Sequence, residues 1–168
     1  DGEITAETVA QFNAGVGNFN DDTHFDLLSA LQKSIRGSDP DAAVFYLARL
    51  LEAGELISVC RRLQVIASED IGLAYPLAAV VTRSCVESAK ELGMPEARLP
   101  LANATVLLAT SPKSNAAHNA VLAATEDVTK GLGTKPPTHL QAPLYKGYKY
   151  PHDYPNHYVN QQYLPNEI

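Results

Sequence analysis

The sequence is short of basic residues and of long apolar runs. It has 13 Lys and Arg against 19 Asp and Glu, which gives a formal net charge of −6. This balance disfavours generic electrostatic binding to nucleic acid, because an excess of Lys and Arg drives phosphate binding. Any nucleic-acid contact must therefore be local. No apolar run approaches the roughly 20 residues that cross a bilayer, so no membrane segment is predicted.

The sequence also lacks tryptophan and has only two cysteines, Cys60 and Cys85. Both lie in apolar helical patterns, where a free cysteine behaves as a small buried hydrophobic residue. We expect two free thiols rather than a disulfide, as in a reducing cytosol. The chain begins Asp1-Gly2-Glu3 without an initiator methionine or a signal peptide, and is expected to be a piece of a longer protein.

Helical periodicity dominates the remaining pattern, with 45% hydrophobic residues over 168 positions, about one domain in length. No segment alternates with period two, so the predicted fold class is all-α, with about seven helices. The first is a short helix after Thr5. The later helices are predicted to start near Thr23, Asp39 with Pro40, Leu56, Pro76, Leu99, and Ser114 or Asn115.

The composition changes after Lys135. Six prolines exclude a long helix, and six of the eight tyrosines fall between Tyr145 and Tyr163. Such a segment is too aromatic for a solvated linker, so it is expected to pack on its own subunit or on a neighbour. The predicted organisation is a short helix and linker over residues 1–20, a helical domain over 21–134, and a Pro- and Tyr-rich tail over 135–168.

Three helical segments are apolar around most of their circumference: VCRRLQVIA, LAAVVTRSCV and LANATVLLA. Such helices are usually buried, and a chain of this size has limited interior for three of them. Part of their surface is therefore predicted to meet another subunit, which favours an oligomerisation module.

The stretch ASEDIGLAYP places Glu69 and Asp70 side by side. Adjacent side chains on an α-helix point about 100° apart, so the two carboxylates are not expected to act as a catalytic dyad on one atom. A structural or subunit-contact role is favoured. One carboxylate would accept backbone N–H groups, and the other would pair with Arg61, Arg62 or another basic side chain.

Two other motifs suggest ligand binding but lack supporting residues. His152, Asp153 and His157 are potential metal ligands, yet their spacing matches no zinc pattern and no cysteine is near. SPKSN contains a Lys-Ser pair but lacks the glycine frame of a phosphate-binding loop, so it is predicted to be a helix break and cap. No catalytic, cofactor-binding or metal-binding residue is predicted in this chain.

A modest basic face is the remaining candidate for binding. It would form if the helices that carry Lys33, Arg36, Arg49, Arg61 and Arg62 were adjacent. The candidate DNA or partner contacts are Lys33, Arg36, Tyr148, Lys149 and Tyr150.

Four ordered motifs resemble one known family: HFDLLSALQKSIRGSDPDAAVFYLARLLEAGE, ASEDIGLAYP, LATSPKSNAAHNAV and GYKYPHDYPNHYVNQQYLP. They look like the C-terminal region of the RarA/MgsA proteins, bacterial relatives of the Werner-helicase-interacting ATPase. The resemblance runs from about residue 22 to residue 168, and ITAETV looks like the end of an AAA+ lid domain. One departure is that QAPLYK is shorter than the basic, glycine-containing stretch usual in the family.

The resemblance implies a domain like the collar of clamp loaders, through which an AAA+ ATPase of stalled replication forks, recombination and repair assembles as a homotetramer. ATP and Mg would then bind in the N-terminal part of the parent, not here. The resemblance also implies a cytoplasmic, nucleoid-associated protein. Its partners would be DNA and replication proteins such as single-strand binding protein.

Two alternatives remain open from the sequence. One is a monomeric helical module that binds a protein partner or single-stranded DNA through the tyrosine-rich tail, with rings as stacking platforms. The other is a small metal-assisted hydrolase using His152, Asp153 and His157, which would require stoichiometric metal.

Overall fold

The computed structural model describes residues 21–143 and 145–168, and these contain six α-helices and no strand. The predicted all-α fold class is thereby confirmed for the described residues. The short helix predicted after Thr5 and the linker up to residue 20 lie outside them. The helices are α1 (Asp21–Arg36), α2 (Pro40–Glu52), α3 (Leu56–Ile66), α4 (Leu77–Leu92), α5 (Arg98–Thr110) and α6 (Ala116–Thr129).

Local capping chemistry sets several of these boundaries. The Asp39 side chain accepts a hydrogen bond from the Ala42 N–H at 2.9 Å, and Pro40 opens α2 as predicted. Gly93 ends α4 with a φ of 69°, a left-handed conformation that glycine adopts without strain. The N-terminal end of α1 differs, because the helix begins at Asp21, two residues before Thr23.

Helix α5 lies at the centre of the helical packing and contacts α1, α2, α3 and α4. Its Leu101 and Leu108 are fully buried, together with Leu31 of α1 and Leu63 of α3. Burying one such side chain contributes about 1.5–3 kcal/mol. These contacts hold the helices on either side of the candidate site in place.

The two cysteines are free, as predicted. Cys60 is part of the core, and Cys85 is partly buried against it. Burial raises the pKa of both thiols. The thiolate is the reactive form, so both groups are held in their unreactive state.

The chain divides into two compact units, one ending at His118 and the other running from Asn119 to Ile168. The division lies within α6, whereas sequence composition placed a boundary after residue 134. Beyond α6, the second unit contains three short 3₁₀ turns, at Thr138–Leu140, Pro151–Asp153 and Pro155–His157. Across the described part of the chain, no helix combines the length and apolar character needed to span a membrane.

Two core threonines, Thr82 of α4 and Thr105 of α5, are fully buried, and neither Oγ1 atom has a hydrogen-bond partner among the described residues. An unsatisfied buried hydroxyl is destabilising, whereas valine has nearly the same shape. We expect Thr82→Val and Thr105→Val each to raise the free energy of unfolding by about 1 kcal/mol in urea denaturation.

Thr110→Val is the matched control for both substitutions. Thr110 is exposed at the end of α5, and its hydroxyl already donates to the Val106 carbonyl at 2.8 Å. No gain is expected there. A loss of stability in Thr82→Val or Thr105→Val would show that these hydroxyls are satisfied in solution.

Candidate functional site

Glu69 and Asp70 lie where α3 stops being an α-helix. The chain continues from Ile66 into a π-helical turn, Ala67–Ile71, and then a 3₁₀ turn, Gly72–Ala74. π-Helical turns are rare and are frequently found at functional positions. Asp70 is buried and Glu69 is half-buried, so the carboxylates point into the fold rather than into solvent.

Both carboxylates bind the same guanidinium, that of Arg36 at the end of α1. Arg36 Nε donates to Asp70 Oδ1, and Arg36 Nη2 donates to Glu69 Oε1 at 3.1 Å. On a continuous α-helix, as expected from the sequence, these adjacent side chains would diverge. In the π-helical turn they instead meet two different nitrogens of one planar group, a geometry for which arginine is suited.

Arg61 and Arg62, the partners named from sequence, do not bind these carboxylates directly. Arg62 Nη1 donates to Gln32 Oε1 at 2.8 Å, and Gln32 Nε2 donates to Asp70 Oδ2 at 3.1 Å. Arg61 is exposed on α3 and takes no part in the contacts described for the two carboxylates. We call Gln32, Arg36, Arg62, Glu69 and Asp70 the junction network.

The SPKSN loop between α5 and α6 packs against this junction. Ser114 N–H donates to the Asp70 carbonyl at 2.8 Å. Gly72 has a φ of +49°, and a Cβ placed on it would lie 2.9 Å from the Ser114 carbonyl oxygen. Glycine is therefore required at position 72 for both conformation and space.

Lys113 of the same loop is fully engaged by the protein. Its Nζ donates to Ser38 Oγ at 3.1 Å, to the Ala109 carbonyl at 2.9 Å and to the Ser111 carbonyl at 2.6 Å. An ammonium has three protons to donate, so these acceptors use them all. Burial lowers the pKa of Lys113, with Asp70 acting in the opposite direction. Lys113 therefore ties the loop to the end of α5 and to Ser38.

The electrostatics of the junction network suit a positioning role. The hydrogen bond to Asp70 raises the pKa of Arg36, which outweighs the opposing effect of burial, and the charge of Glu69 adds to it. Both Asp70 carboxylate oxygens accept hydrogen bonds from protein groups. The Asp70 carboxylate is thereby held in place from both of its oxygens.

The other candidate residues lie apart from this network. Lys33 is exposed on α1. Tyr148, Lys149 and Tyr150 lie in the second unit and are exposed. Arg36, which the sequence suggested as a DNA contact, instead has its guanidinium on Glu69 and Asp70.

His152 and His157 approach each other in the tail, with 3.4 Å between their Nδ1 atoms. Within the described residues, no group of three or more His, Cys, Asp or Glu side chains is placed to hold a metal ion. The contacts around His152 are instead aromatic, with ring centroids 5.1 Å from Tyr150 and 5.1 Å from His157.

The junction network thus joins α1, α3 and the turn that follows α3. Residues 37–168 match the sequence profile of the family described as MgsA AAA+ ATPase C terminal. That match covers most of the chain, so the chain belongs to this family.

Similar proteins occur in bacteria and in a eukaryote. The replication-associated recombination protein A of Bacillus subtilis is 49% identical over 182 aligned positions, which cover 100% of the chain and 43% of that protein. The protein of the same name in Escherichia coli K12 is 39% identical, covering 99% of the chain and 38% of that protein. ATPase WRNIP1 of Dictyostelium discoideum is 37% identical, covering 88% of the chain and 18% of that protein. The chain spans less than half the length of each.

Proposed function

We propose that this chain is the subunit-association domain of an AAA+ ATPase that acts on DNA in replication-associated recombination and repair, at stalled replication forks. Its family and the names of its relatives support the parent's class. The observation that carries the association role is a set of exposed apolar side chains on α4 and α5, two helices that contact each other.

This surface consists of two apolar stripes on neighbouring helices. Leu77, Val80 and Val81 are exposed on α4 at the i, i+3, i+4 spacing of one helix face. On α5 the exposed positions Leu99 and Val106 lie two turns apart. We call these five residues the α4–α5 surface.

Helix α5 contributes almost no charged residue to the α4–α5 surface, which is unusual for an exposed helix. From Leu99 to Thr110 the helix has no ionisable residue. Arg98, at the first position, binds Glu52 of α2 at 2.7 Å. Depletion of charge together with exposed aliphatic groups is typical of the buried centre of a subunit interface rather than of a solvated face.

The chemistry of the parent would lie outside this chain. ATP and Mg would bind in the remaining part of the longer protein, and this domain would hold the ATPase subunits together. The proposed assembly is a homotetramer, a number taken from the family resemblance. DNA and replication proteins such as single-strand binding protein would be partners of the parent, in the cytoplasm and at the nucleoid.

Light scattering on the size-fractionated chain, over a concentration series, tests the association role. We expect a stable mass near four chains, since the apolar stripes would be covered by other copies. A chain that stays monomeric at the highest concentration would contradict the proposal.

A further inference from the structure

The tail contains a surface that lies outside the α4–α5 surface: a row of exposed rings next to lysines. Tyr148, Tyr150 and Tyr163 are all exposed, Tyr150 by 54%. The row continues through His152 and His157, whose ring centroids follow Tyr150 at 5.1 Å steps. Partial loss of hydration raises the pKa of Tyr148, and the phenols of Tyr163 and Tyr150 raise it further.

Gln161 holds the centre of this row in an extended conformation. Its side-chain amide accepts from the Lys149 N–H at 3.1 Å and donates to the Lys149 carbonyl at 2.7 Å, as a neighbouring strand would. In an extended backbone the N–H and C=O of one residue point to the same side, so one amide can bond to both. Side chains at positions i and i+2 then lie on the same face. Tyr148 and Tyr150 are thereby presented on the same side. Gln161 also donates to Tyr163 Oη at 2.7 Å, which fixes the neighbouring ring.

Charge in this region is opposite to that of the chain as a whole. Residues 128–152 contain no Asp or Glu but four lysines, in a chain whose net charge is −6. Lys130 pairs with Glu126 at 2.7 Å, whereas Lys146 and Lys149 have no ion pair within the described residues. The local excess of positive charge complements a phosphate backbone.

From these observations we propose that the tail, through Tyr148, Tyr150, Lys146 and Lys149, binds single-stranded DNA without sequence preference. Rings would stack on successive bases, and lysines would contact the phosphates, the combination used by general single-strand binding surfaces. Stacking needs an unpaired base with a free face, so a single strand is bound better than a duplex.

The composition of the segment favours a nucleic acid over a protein partner. From residue 145 to residue 158 there is no Leu, Ile, Val, Met or Ala, and two lysines and one acidic residue, Asp153, lie among five tyrosines. Lysine is depleted at the centre of protein–protein interfaces, where aliphatic contacts usually accompany the aromatic ones. Here the lysines alternate with the rings that would make the contact.

Fluorescence anisotropy with a labelled oligo(dT) of about 20 nucleotides tests the proposal, at about 50 mM salt to keep phosphate contacts strong. We expect binding that falls as salt rises, with a slope of log K on log salt near −1.4 for two lysine contacts. Y148A and Y150A are expected to weaken binding about fivefold or more each, while Y148F and Y150F keep the ring and the affinity.

The matched controls lie in the helical unit. Phe25→Ala removes a ring that is 65% exposed on α1, and Lys33→Ala removes an exposed cation from the same helix. Neither is expected to change binding. Circular dichroism checks that each variant is folded, and Lys149→Ala, which leaves every ring in place, gives a second measure of the same surface.

Three results would overturn the proposal: no binding of the single strand by folded protein, equal binding of a duplex of the same length, or a loss in Lys33→Ala that the tail variants do not show. Light scattering on the same samples distinguishes a failure of the DNA-binding proposal from a failure of the subunit-association proposal. Y148A and Y150A are expected to leave the mass unchanged, and a monomeric chain that still binds the oligonucleotide would reject only the subunit-association proposal.

Discussion

Replacing Arg36 with methionine is expected to lower the free energy of unfolding by about 2–3 kcal/mol. Methionine keeps the apolar stem but removes both hydrogen bonds to Glu69 and Asp70. Asp70 would remain buried as a carboxylate with Gln32 as its one remaining side-chain donor. The figure is below the full cost of breaking a buried ion pair because Arg36 itself is 48% exposed. Urea denaturation followed by circular dichroism measures the change.

Lys33→Met is the matched control, because Lys33 is exposed on the same helix, one turn earlier. It is expected to change stability by less than about 0.5 kcal/mol. Equal effects of the two substitutions would show that the junction network contributes no more than a surface charge. A double-mutant cycle of Arg36→Met with Asp70→Asn would then assign the coupling between the two side chains.

A carboxylate at position 80 is expected to abolish self-association of the chain. Val80 is 64% exposed on α4, so Val80→Asp leaves the monomer's core intact but would bury an unpaired charge in the proposed interface. A cost of this kind weakens association by at least about tenfold, or 1.4 kcal/mol. Light scattering and sedimentation are expected to report a mass near one chain at concentrations where the wild type is assembled.

Ile57→Asp makes the same chemical change on α3, at a side chain that is 66% exposed. It is expected to leave the assembly intact, because Ile57 lies outside the α4–α5 surface. If Ile57→Asp dissociates the assembly and Val80→Asp does not, the subunit contact lies on α3, and the α4–α5 surface has been assigned the wrong role.

The order of the helices could be predicted from the sequence because several helix ends are set by capping residues and by residues that break helices. Asp39 with Pro40 starts α2 and Gly93 ends α4, and each signal depends on the conformation of only a few neighbouring residues. The start of α1 was placed less well, since the helix already includes Asp21 whereas Thr23 was expected to cap it. Association of the apolar helices was inferred from their composition, but which faces remain exposed depends on how they pack.

The junction network was harder to predict because its contacts are tertiary. The structural role of Glu69 and Asp70 could be argued from their position, but the choice of Arg36 depends on how α1 packs against the turn. Gln32 was missed, although a signal exists: it is a polar residue next to Leu28 and Leu31 on the inward face of α1, one turn before Arg36. A polar group on a buried helix face needs a partner, and here that partner is Asp70.

The sequence distance spanned by the junction network bears on how the domain opens. Its bonds from Arg36 and Gln32 to Asp70 close loops of 34 and 38 residues. Contacts of this span form only after the intervening helices have docked, so they are expected to be largely absent from the transition state for folding. Interactions absent from that state slow unfolding without speeding folding. The network would therefore give the domain a long native lifetime, which would suit the proposed role of holding ATPase subunits together.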